Sequence, residues 1–174
     1  MVEALLARIP RLRLAVSATT RDRRPNEVDG IHYWFLSDEE FDRRLAAHDF
    51  LEYHQFPWGQ RSGTLLSELE RIAKEGEVPL LELELEGSLA VKERVPGAVT
   101  IFVDAPLEEL ERRLRARATE SGGEIEERIA LAADQRRRAA GFDHVVENDD
   151  RERAANEVTA IVERELAAAT MAPR

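Results

Sequence analysis

The sequence contains no cysteine, and lysine occurs only as Lys74 and Lys92. Without cysteine the chain can form neither disulfides nor thiolate metal sites. Its histidines, His32, His48, His54 and His144, lack the spacing of metal ligands, so we expect no metal site built from protein side chains. Arginine therefore carries almost all of the positive charge, and a catalytic lysine would have very few candidates.

The chain also lacks an excess of positive charge. It carries 25 Lys and Arg against 35 Asp and Glu, which gives a net charge of -10. Proteins that hold nucleic acid by bulk electrostatics usually present a basic face. We therefore expect no nucleic-acid partner, whereas a small anionic ligand can still bind at a local arginine cluster.

Long apolar runs are missing as well. No run approaches the roughly 20 residues that a membrane helix needs, and the N-terminus lacks the apolar core of a secretory signal. We expect no membrane segment and a cytoplasmic location. A length of 174 residues suits one compact domain.

The segments that are present alternate between helical and strand-like patterns. The apolar spacing predicts helices at 1–9, after Ser37, after Thr64, and at 87–95, 107–117, 124–140 and 151–169. Strands are predicted at 11–16, 32–36, 49–56, 78–85, 98–103 and 144–147. This alternation indicates an α/β layered domain with a mostly parallel sheet.

Several local expectations follow from the same patterns. Ser37 and Glu40 have the spacing of a capping box at the start of a helix. The Pro- and Gly-rich segment 57–64 is expected to be a loop, with Thr64 capping the next helix. Strict alternation across 78–85 places Glu82 and Glu84 on one face of a strand.

The chemistry concentrates in residues 17–30, which follow a predicted strand. Arg21, Arg23 and Arg24 lie close together there and would repel one another unless an anion, most often a phosphate, binds between them. The alternative is a solvated basic loop. Glu27, Asp29 and Tyr33 follow the arginines, and they favour a pocket with one cationic and one acidic end.

A series of motifs then follows in a fixed order. They are S-A-T-T-R at 17–21, R-P-N-E-V-D-G at 24–30, Tyr33, F-L-E at 50–52, Gly63-Thr64, L-E-L-E-L-E-G at 81–87, R-L-R-A-R-A-T-E at 113–120 and V-V-E-N-D-D at 145–150. In this order the chain resembles guanylate kinase along almost its whole length. No single motif is decisive, and their shared order carries the resemblance.

The resemblance implies a fold and an activity. The fold is an α/β P-loop-kinase-like core of three layers with a mostly parallel sheet whose first strand is absent here. Residues 1–174 would form one domain, with an inserted GMP-binding subdomain at 17–79 and a helical lid at 113–136. The activity is phosphoryl transfer from ATP to GMP, giving ADP and GDP, with Mg²⁺ bound to ATP and no metal site in the protein.

The same resemblance assigns residues to GMP. Arg21, Arg24 and Tyr33 would bind its phosphate, and the residues that would read guanine are Ser17, Glu52, Thr64 and Glu82. Guanine presents N1–H and N2–H donors beside an O6 acceptor, so a carboxylate accepts from the donors while hydroxyls donate to O6. Adenine would leave the carboxylate unpaired. For Glu52 and Glu82 the alternative is an ordinary partly exposed acid on a strand.

On the ATP side the resemblance assigns three arginines and one asparagine. Arg113, Arg117 and Arg128 match lid arginines that stabilise charge on the transferring phosphoryl group, and a solvated helix face is the alternative. Asn148 matches a position near adenine, and its alternative is a cap for the last helix.

Several positions depart from the family pattern. Ser62 stands where a tyrosine usually supports the phosphate, and Arg61 is a candidate to compensate. Ala118 replaces a glycine of the lid, and Gln135 replaces a glutamate. Glu84 and Glu86 replace the usual aspartate and glutamine.

The largest departure is the absence of the loop G-x-x-G-x-G-K-S/T, which cradles the ATP phosphates in this family. Residues 1–10 resemble the helix that normally follows that loop. We expect that a longer natural protein has been shortened, the alternative being a partner strand that fills the place of the first strand.

Three functional hypotheses stay open on the sequence. The lid arginines and Asn148 favour an active guanylate kinase. The missing loop favours a catalytically silent guanylate-kinase-like module that binds GMP or an anionic protein segment. A related kinase with another phosphate acceptor agrees less well with a hydroxyl and carboxylate set suited to guanine.

Overall fold

The computed structural model describes residues 1–56, 59–106, 108, 110–112, 115 and 122–171, without the side chains at 122–128, 131 and 171. These residues divide into two compact units. The segment 17–30, which carries Arg21, Arg23 and Arg24, is called the arginine loop below. The arginine-loop unit comprises Val2 and Ile9–Pro96, and the C-terminal unit comprises Met1, Glu3–Arg8 and Gly97–Arg174. No helix of the described residues is both long and apolar enough to cross a membrane.

Helix α1 (Val2–Arg8) opens the chain, and all of it except Val2 belongs to the C-terminal unit. The elements of the arginine-loop unit are β1 (Leu12–Leu14), β2 (Ala18–Thr19), β3 (Trp34–Phe35), α2 (Asp38–Ala46), β4 (Phe50–Gln55), β5 (Arg61–Leu65), α3 (Leu66–Lys74), β6 (Val78–Leu80) and α4 (Leu85–Arg94).

Two sheets form in this unit. Strands β1 and β6 pair in parallel, and the other sheet has the order β3-β2-β5-β4. Strand β2 is parallel to β3 and antiparallel to β5, which is antiparallel to β4. The four-stranded sheet packs its apolar face against α2, where the fully buried Phe41 stacks on Phe50 with ring centroids 4.4 Å apart.

The capping box at the start of α2 is confirmed on its N-cap side. The Ser37 side chain accepts a hydrogen bond of 3.1 Å from the Glu40 backbone N–H, which satisfies one of the donors at the helix start. Phe41 of this helix is completely buried.

The predicted loop at 57–64 was wrong for its second half. Arg61–Leu65 forms β5 and pairs with β4 as a hairpin, closed by a backbone hydrogen bond from Phe56 N–H to the Gln60 carbonyl at 2.8 Å. Gly63 lies within this strand. Only glycine fits there, because a Cβ would lie 2.6 Å from the Glu52 carbonyl oxygen. The glycine that indicated a loop is thus demanded by close approach of two strands.

The predicted cap at Thr64 was also wrong. Thr64 is part of β5, the N-cap of α3 is Leu65, and that cap makes no side-chain hydrogen bond. The Thr64 hydroxyl is used elsewhere, as described below. Strand pairing therefore took precedence over the local preference of threonine for a helix start.

The strand predicted at 78–85 is shorter than expected. Strand β6 ends at Leu80, because its partner β1 offers only the ladder Leu12–Leu14. Helix α4 begins at Leu85, so Gly87 lies inside its first turn and does not form a separate turn. Glu82 and Glu84 accordingly lie in the connection between β6 and α4 and share no strand face.

The C-terminal unit combines a parallel strand pair with helices. Strands β7 (Ile101–Asp104) and β8 (His144–Glu147) pair in parallel, and Val146 is fully buried. Helix α5 (Gly122–Arg138) precedes β8, and α6 (Arg151–Met171) follows it. The buried face of α6 is formed by Ala154, Ala155, Val158 and Ile161. Parallel pairs and intervening helices in both units confirm the α/β class.

The helix predicted at 107–117 lies only partly within the described residues, of which 108, 110–112 and 115 are helical. The predictions at 124–140, 144–147 and 151–169 are confirmed to within a few residues by α5, β8 and α6.

Candidate functional site

The four-stranded sheet has a polar face opposite its apolar one. Its register places Glu52 beside Thr64 and His54 beside Ser62, and Ser62 beside Thr19 of the next strand. Residues paired across antiparallel strands project from the same side of a sheet. A register irregularity between Phe50 and Glu52 lets the first face the apolar core and the second the polar face.

These side chains form two rows across the sheet, which we call the polar face. The ladder ends with the pair of Ala18 and Gly63, and Ser17 directly precedes Ala18 while Thr64 directly follows Gly63. The first row is therefore Ser17, Thr64 and Glu52, and the second row is Thr19, Ser62 and His54. Three of the residues predicted to read guanine thus fall in one row.

Glu52 is a buried carboxylate with a defined partner. It is 6% exposed, and it accepts a hydrogen bond of 2.8 Å from the Thr64 hydroxyl. Burial raises the pKa of Glu52, an effect opposed by the hydrogen bonds from Thr64 and by the charge of His54. A carboxylate in this setting gains from a ligand that brings N–H donors to it.

Helix α4 provides the space that Glu52 occupies. A Cβ at Gly87 would lie 2.8 Å from Glu52 Oε2 and 3.4 Å from its Cδ. Gly87 therefore lies against the buried carboxylate, although it carries no functional group and the sequence indicated it only as the first residue of a predicted helix. The signal was present as the last letter of L-E-L-E-L-E-G.

The arginine loop contains its own anion. Arg21 donates to Glu27 through both terminal nitrogens, at 3.0 and 2.7 Å, and its guanidinium lies 5.2 Å from the ring centroid of Tyr33. The hydrogen bond from Arg21 and that from the Arg24 backbone N–H lower the pKa of Glu27 to about 2. Part of the charge of the cluster is thus neutralised by a residue that the sequence placed at the acidic end of a pocket.

Arg24 differs from Arg21. Its backbone N–H donates to Glu27 at 2.8 Å, while its exposed guanidinium makes no hydrogen bond to a described side chain. Arg23 is also exposed and donates to the Glu27 carbonyl at 3.3 Å. Arg24 is therefore a cation of this loop whose guanidinium is open to an incoming anion.

Glu82, the fourth residue predicted to read guanine, makes no hydrogen bond to a described residue of the polar face. It is exposed and lies between β6 and α4. Its predicted role depends on the resemblance alone.

Glu68 is a buried acid that sequence reasoning missed. It accepts hydrogen bonds from Val16 N–H at 3.0 Å, from Trp34 Nε1 at 3.2 Å and from Arg71 Nη2 at 2.9 Å. Burial alone would raise the pKa of Glu68, but these bonds outweigh burial and lower it. Glu68 anchors the segment that leads into Ser17. Nothing in the helical pattern of α3 marked it.

Arg61 is already paired with acidic side chains of α2. Its guanidinium pairs with Asp38 and Asp42 on α2 and lies 4.6 Å from the ring centroid of Phe41. Its side chain thus joins α2 to β5, and its compensation for Ser62 stays a prediction.

In the C-terminal unit, Asn148 follows β8 and its backbone N–H donates to the Asp104 carbonyl at 2.6 Å. The alternative role as a helix cap belongs instead to Asp150, whose carboxylate accepts from the Arg153 N–H at 2.8 Å. Asp104 pairs with Arg136 at 2.6 Å, and burial raises its pKa.

The arginines assigned to the lid fall outside the described part of the chain, either whole or in their side chains. Arg113, Arg117 and Ala118 lie outside the described residues, and Arg128 lies in α5 but its side chain is outside them.

On this α/β fold, a cationic loop and a buried carboxylate–threonine pair together offer hydrogen-bonding partners for a small anionic ligand with a polar body. The comparisons with known proteins are specific. A family model described as guanylate kinase matches residues 1–165. The chain belongs to the guanylate kinase family.

Individual relatives agree with this family. The chain is 42% identical to the guanylate kinase of Symbiobacterium thermophilum, over 94% of this chain and 78% of that protein. It is 43% identical to that of Rubrobacter xylanophilus, over 96% of this chain and 87% of that protein. The crystal structure of guanylate kinase from Anaplasma phagocytophilum superimposes with a TM-score of 0.75 at 28% identity, covering 94% of this chain and 79% of that one.

Proposed function

We propose that the chain is an ATP:GMP phosphotransferase that binds GMP on the polar face and in the arginine loop and converts it to GDP. The observation that carries the proposal is the buried pair of Glu52 and Thr64 in a chain of the guanylate kinase family. This pair offers acceptors for the N1–H and N2–H donors of guanine, which adenine lacks.

Guanine recognition is assigned to the first row of the polar face. Glu52 accepts from N1–H and N2–H of the base, and the Ser17 hydroxyl is available to donate to O6. The Thr64 hydroxyl donates its proton to Glu52, so it holds the carboxylate in place and can itself only accept from the base. Adenine lacks both donors and would leave the buried carboxylate without its partners, which costs about 1–3 kcal/mol or more for a charged group. Glu82 is retained as a further guanine ligand from the resemblance.

Phosphate binding is assigned to the arginine loop. Arg24 offers an open guanidinium, and Arg21 is already oriented by Glu27 and by the ring of Tyr33. The phosphate of GMP then shares Arg21 with Glu27, while the Tyr33 hydroxyl supplies a further donor. A planar guanidinium suits phosphate oxygens better than an ammonium does, which agrees with the scarcity of lysine.

The donor side of the reaction is assigned from the resemblance. Arg113, Arg117 and Arg128 would stabilise charge on the transferring phosphoryl group, and Asn148 would lie near adenine. Mg²⁺ would enter with ATP and neutralise its phosphates. Among the described residues no three His, Asp or Glu side chains cluster to hold a metal ion.

The subdomain boundaries also remain part of the proposal. The GMP-binding subdomain is assigned to residues 17–79 and the lid to 113–136. The cytoplasmic location expected from the sequence stays a prediction.

The test is calorimetry of the 174-residue chain with GMP, AMP and guanosine. We expect GMP to bind and AMP to bind at least tenfold more weakly. Arg24→Ala should weaken GMP by roughly tenfold or more, as loss of a charged hydrogen bond does, and leave guanosine almost unchanged. The matched control is Arg23→Ala, which removes an equal charge from the same loop.

Two results would overturn the proposal. Equal affinity for GMP and AMP would remove the guanine assignment, and equal losses from Arg23→Ala and Arg24→Ala would reduce the phosphate site to general electrostatics. Phosphoryl transfer is followed separately, as GDP formed from GMP with ATP and Mg²⁺. The sequence contains no G-x-x-G-x-G-K-S/T loop for the ATP phosphates. GMP binding, which does not depend on that loop, is therefore measured first.

A further inference from the structure

His54 is a ring on the polar face whose nitrogens are not used within the described part of the chain. It is half-buried on β4, two residues beyond Glu52 and on the same side of the sheet. Its ring packs against Phe56 at 4.8 Å between centroids in an edge-to-face arrangement, and it makes no hydrogen bond to a described residue. The packing orients the ring and leaves both nitrogens available.

The neighbour of His54 across the hairpin is small. Ser62 pairs with His54 on one side and with Thr19 on the other. Cβ atoms of such pairs lie about 4.5–5.5 Å apart, so an imidazole can extend over a serine. The family pattern places a tyrosine at the position of Ser62, and Arg61 is held by Asp38 and Asp42.

The second row lies between the two ends of the ligand in the proposed function. The first row receives the base at Glu52 and Thr64. From Ser17, just before β2, the chain passes through Thr19 to Arg21, just after it, and the Arg21 backbone N–H donates to the Thr19 hydroxyl at 3.2 Å. Residues two apart on a strand are separated by about 6.6 Å. A nucleotide that reaches from the first row to the arginine loop therefore crosses the second row.

We propose that His54 is a further GMP-binding residue, and that its imidazole donates a hydrogen bond across Ser62 to the phosphate of GMP. The inference rests on the proposed function, because it takes the base position from Glu52 and the phosphate position from the arginine loop. His54 on β4 would thus take over the phosphate contact that the family's tyrosine makes from the position of Ser62 on β5.

The experiment compares His54→Ala with wild type by calorimetry, using GMP and guanosine. We expect His54→Ala to weaken GMP by roughly tenfold and guanosine by less than twofold. The matched control is Gln55→Ala, the next residue of β4, which projects from the opposite side of the sheet. Adding Ser62→Tyr to His54→Ala should restore much of the GMP affinity, because a tyrosine hydroxyl at residue 62 reaches the same space.

Unchanged GMP affinity in His54→Ala would overturn the inference, and so would equal losses for GMP and guanosine, which would move the contact to the sugar or base. If His54→Ala does not fold, the His54 ring ¹⁵N resonances of the wild type are followed instead. We expect them to shift with GMP and not with guanosine, and no difference would overturn the assignment. A wild type that fails to bind GMP removes the proposed function itself. Intact His54→Ala binding together with a weakened Arg24→Ala removes only the role of His54.

Discussion

At the scale of single residues, the site depends on a carboxylate whose burial lowers the stability of the folded chain. Glu52 is nearly inaccessible, its hydrogen-bonding partner among the described residues is a neutral hydroxyl, and burial raises its pKa. No arginine pairs with it among the described residues, in contrast to Glu27 and Glu68. The arrangement favours a ligand with N–H donors at the expense of stability in the free protein.

The pH dependence of this cost can be measured with Glu52→Gln. Because the pKa of Glu52 is raised on folding, the unfolded chain ionises this group at a lower pH than the folded chain does. Its ionisation therefore destabilises the fold as pH rises from about 4.3, and the penalty is constant above the folded pKa. Thermal unfolding should show Glu52→Gln gaining stability relative to wild type between pH 4 and pH 7. An equal difference at both pH values would contradict this prediction.

Gly87 offers a second test at the residue scale. In Gly87→Ala the new methyl group would lie 2.8 Å from Glu52 Oε2 and would push the carboxylate from its place. Overpacking costs about 1–3 kcal/mol, and removing a helical glycine returns up to about 1 kcal/mol, so we expect a net destabilisation of about 1 kcal/mol. We also expect GMP affinity to fall by roughly tenfold or more, as when a charged hydrogen bond is lost.

The control for Gly87→Ala is Ser88→Ala, the next residue of α4. Calorimetry and denaturant unfolding of both variants separate the effect on the carboxylate from the effect on the helix. GMP affinity in Gly87→Ala equal to that in Ser88→Ala would show that Glu52 moves without loss of function.

At the scale of elements, the β4–β5 hairpin brings the site together. It carries Glu52 and His54 on one strand and Ser62 and Thr64 on the other. It was also the element that the sequence predicted least well, since β5 contains polar residues and a glycine that are typical of a loop. Helices α2, α5 and α6 were predicted closely, because apolar spacing is a local property of each segment.

Gly63→Ala tests the hairpin. A Cβ at this position would lie 2.6 Å from the Glu52 carbonyl oxygen and 2.9 Å from a Phe50 ring carbon, and backbone cannot yield as a flexible side chain can. We expect a destabilisation of about 2 kcal/mol or more, measured by denaturant unfolding. Ser62→Ala, in the same strand, should change stability by less than about 0.5 kcal/mol. Comparable values for the two variants would mean that the strands separate easily.

At the scale of the whole molecule, ligand binding and stability are linked. A ligand that binds only the folded chain stabilises it by about 2.7 kcal/mol at a hundredfold excess over Kd. For a chain of this size that corresponds to roughly 5–10 °C in the unfolding midpoint. We expect GMP to produce such a shift and AMP, at the same concentration, to produce almost none.

The same measurement on Glu52→Gln should show a much smaller shift with GMP, because the base loses its carboxylate partner. A shift by GMP that persists in Glu52→Gln and disappears in Arg24→Ala would mean that the phosphate alone is recognised. A shift of equal size with AMP would contradict guanine selectivity at the level of the folded molecule.

The sequence by itself determined the helices, the α/β class and the family, because these depend on local periodicity and on the order of short motifs. Only the tertiary structure decided that Thr64 bonds to Glu52 and does not cap α3, and that Glu27 neutralises Arg21. It also decided that Gly87 leaves room for a carboxylate and that His54 lies across from Ser62. These relationships depend on strand register and on close approach between segments far apart in the chain, which no local pattern specifies.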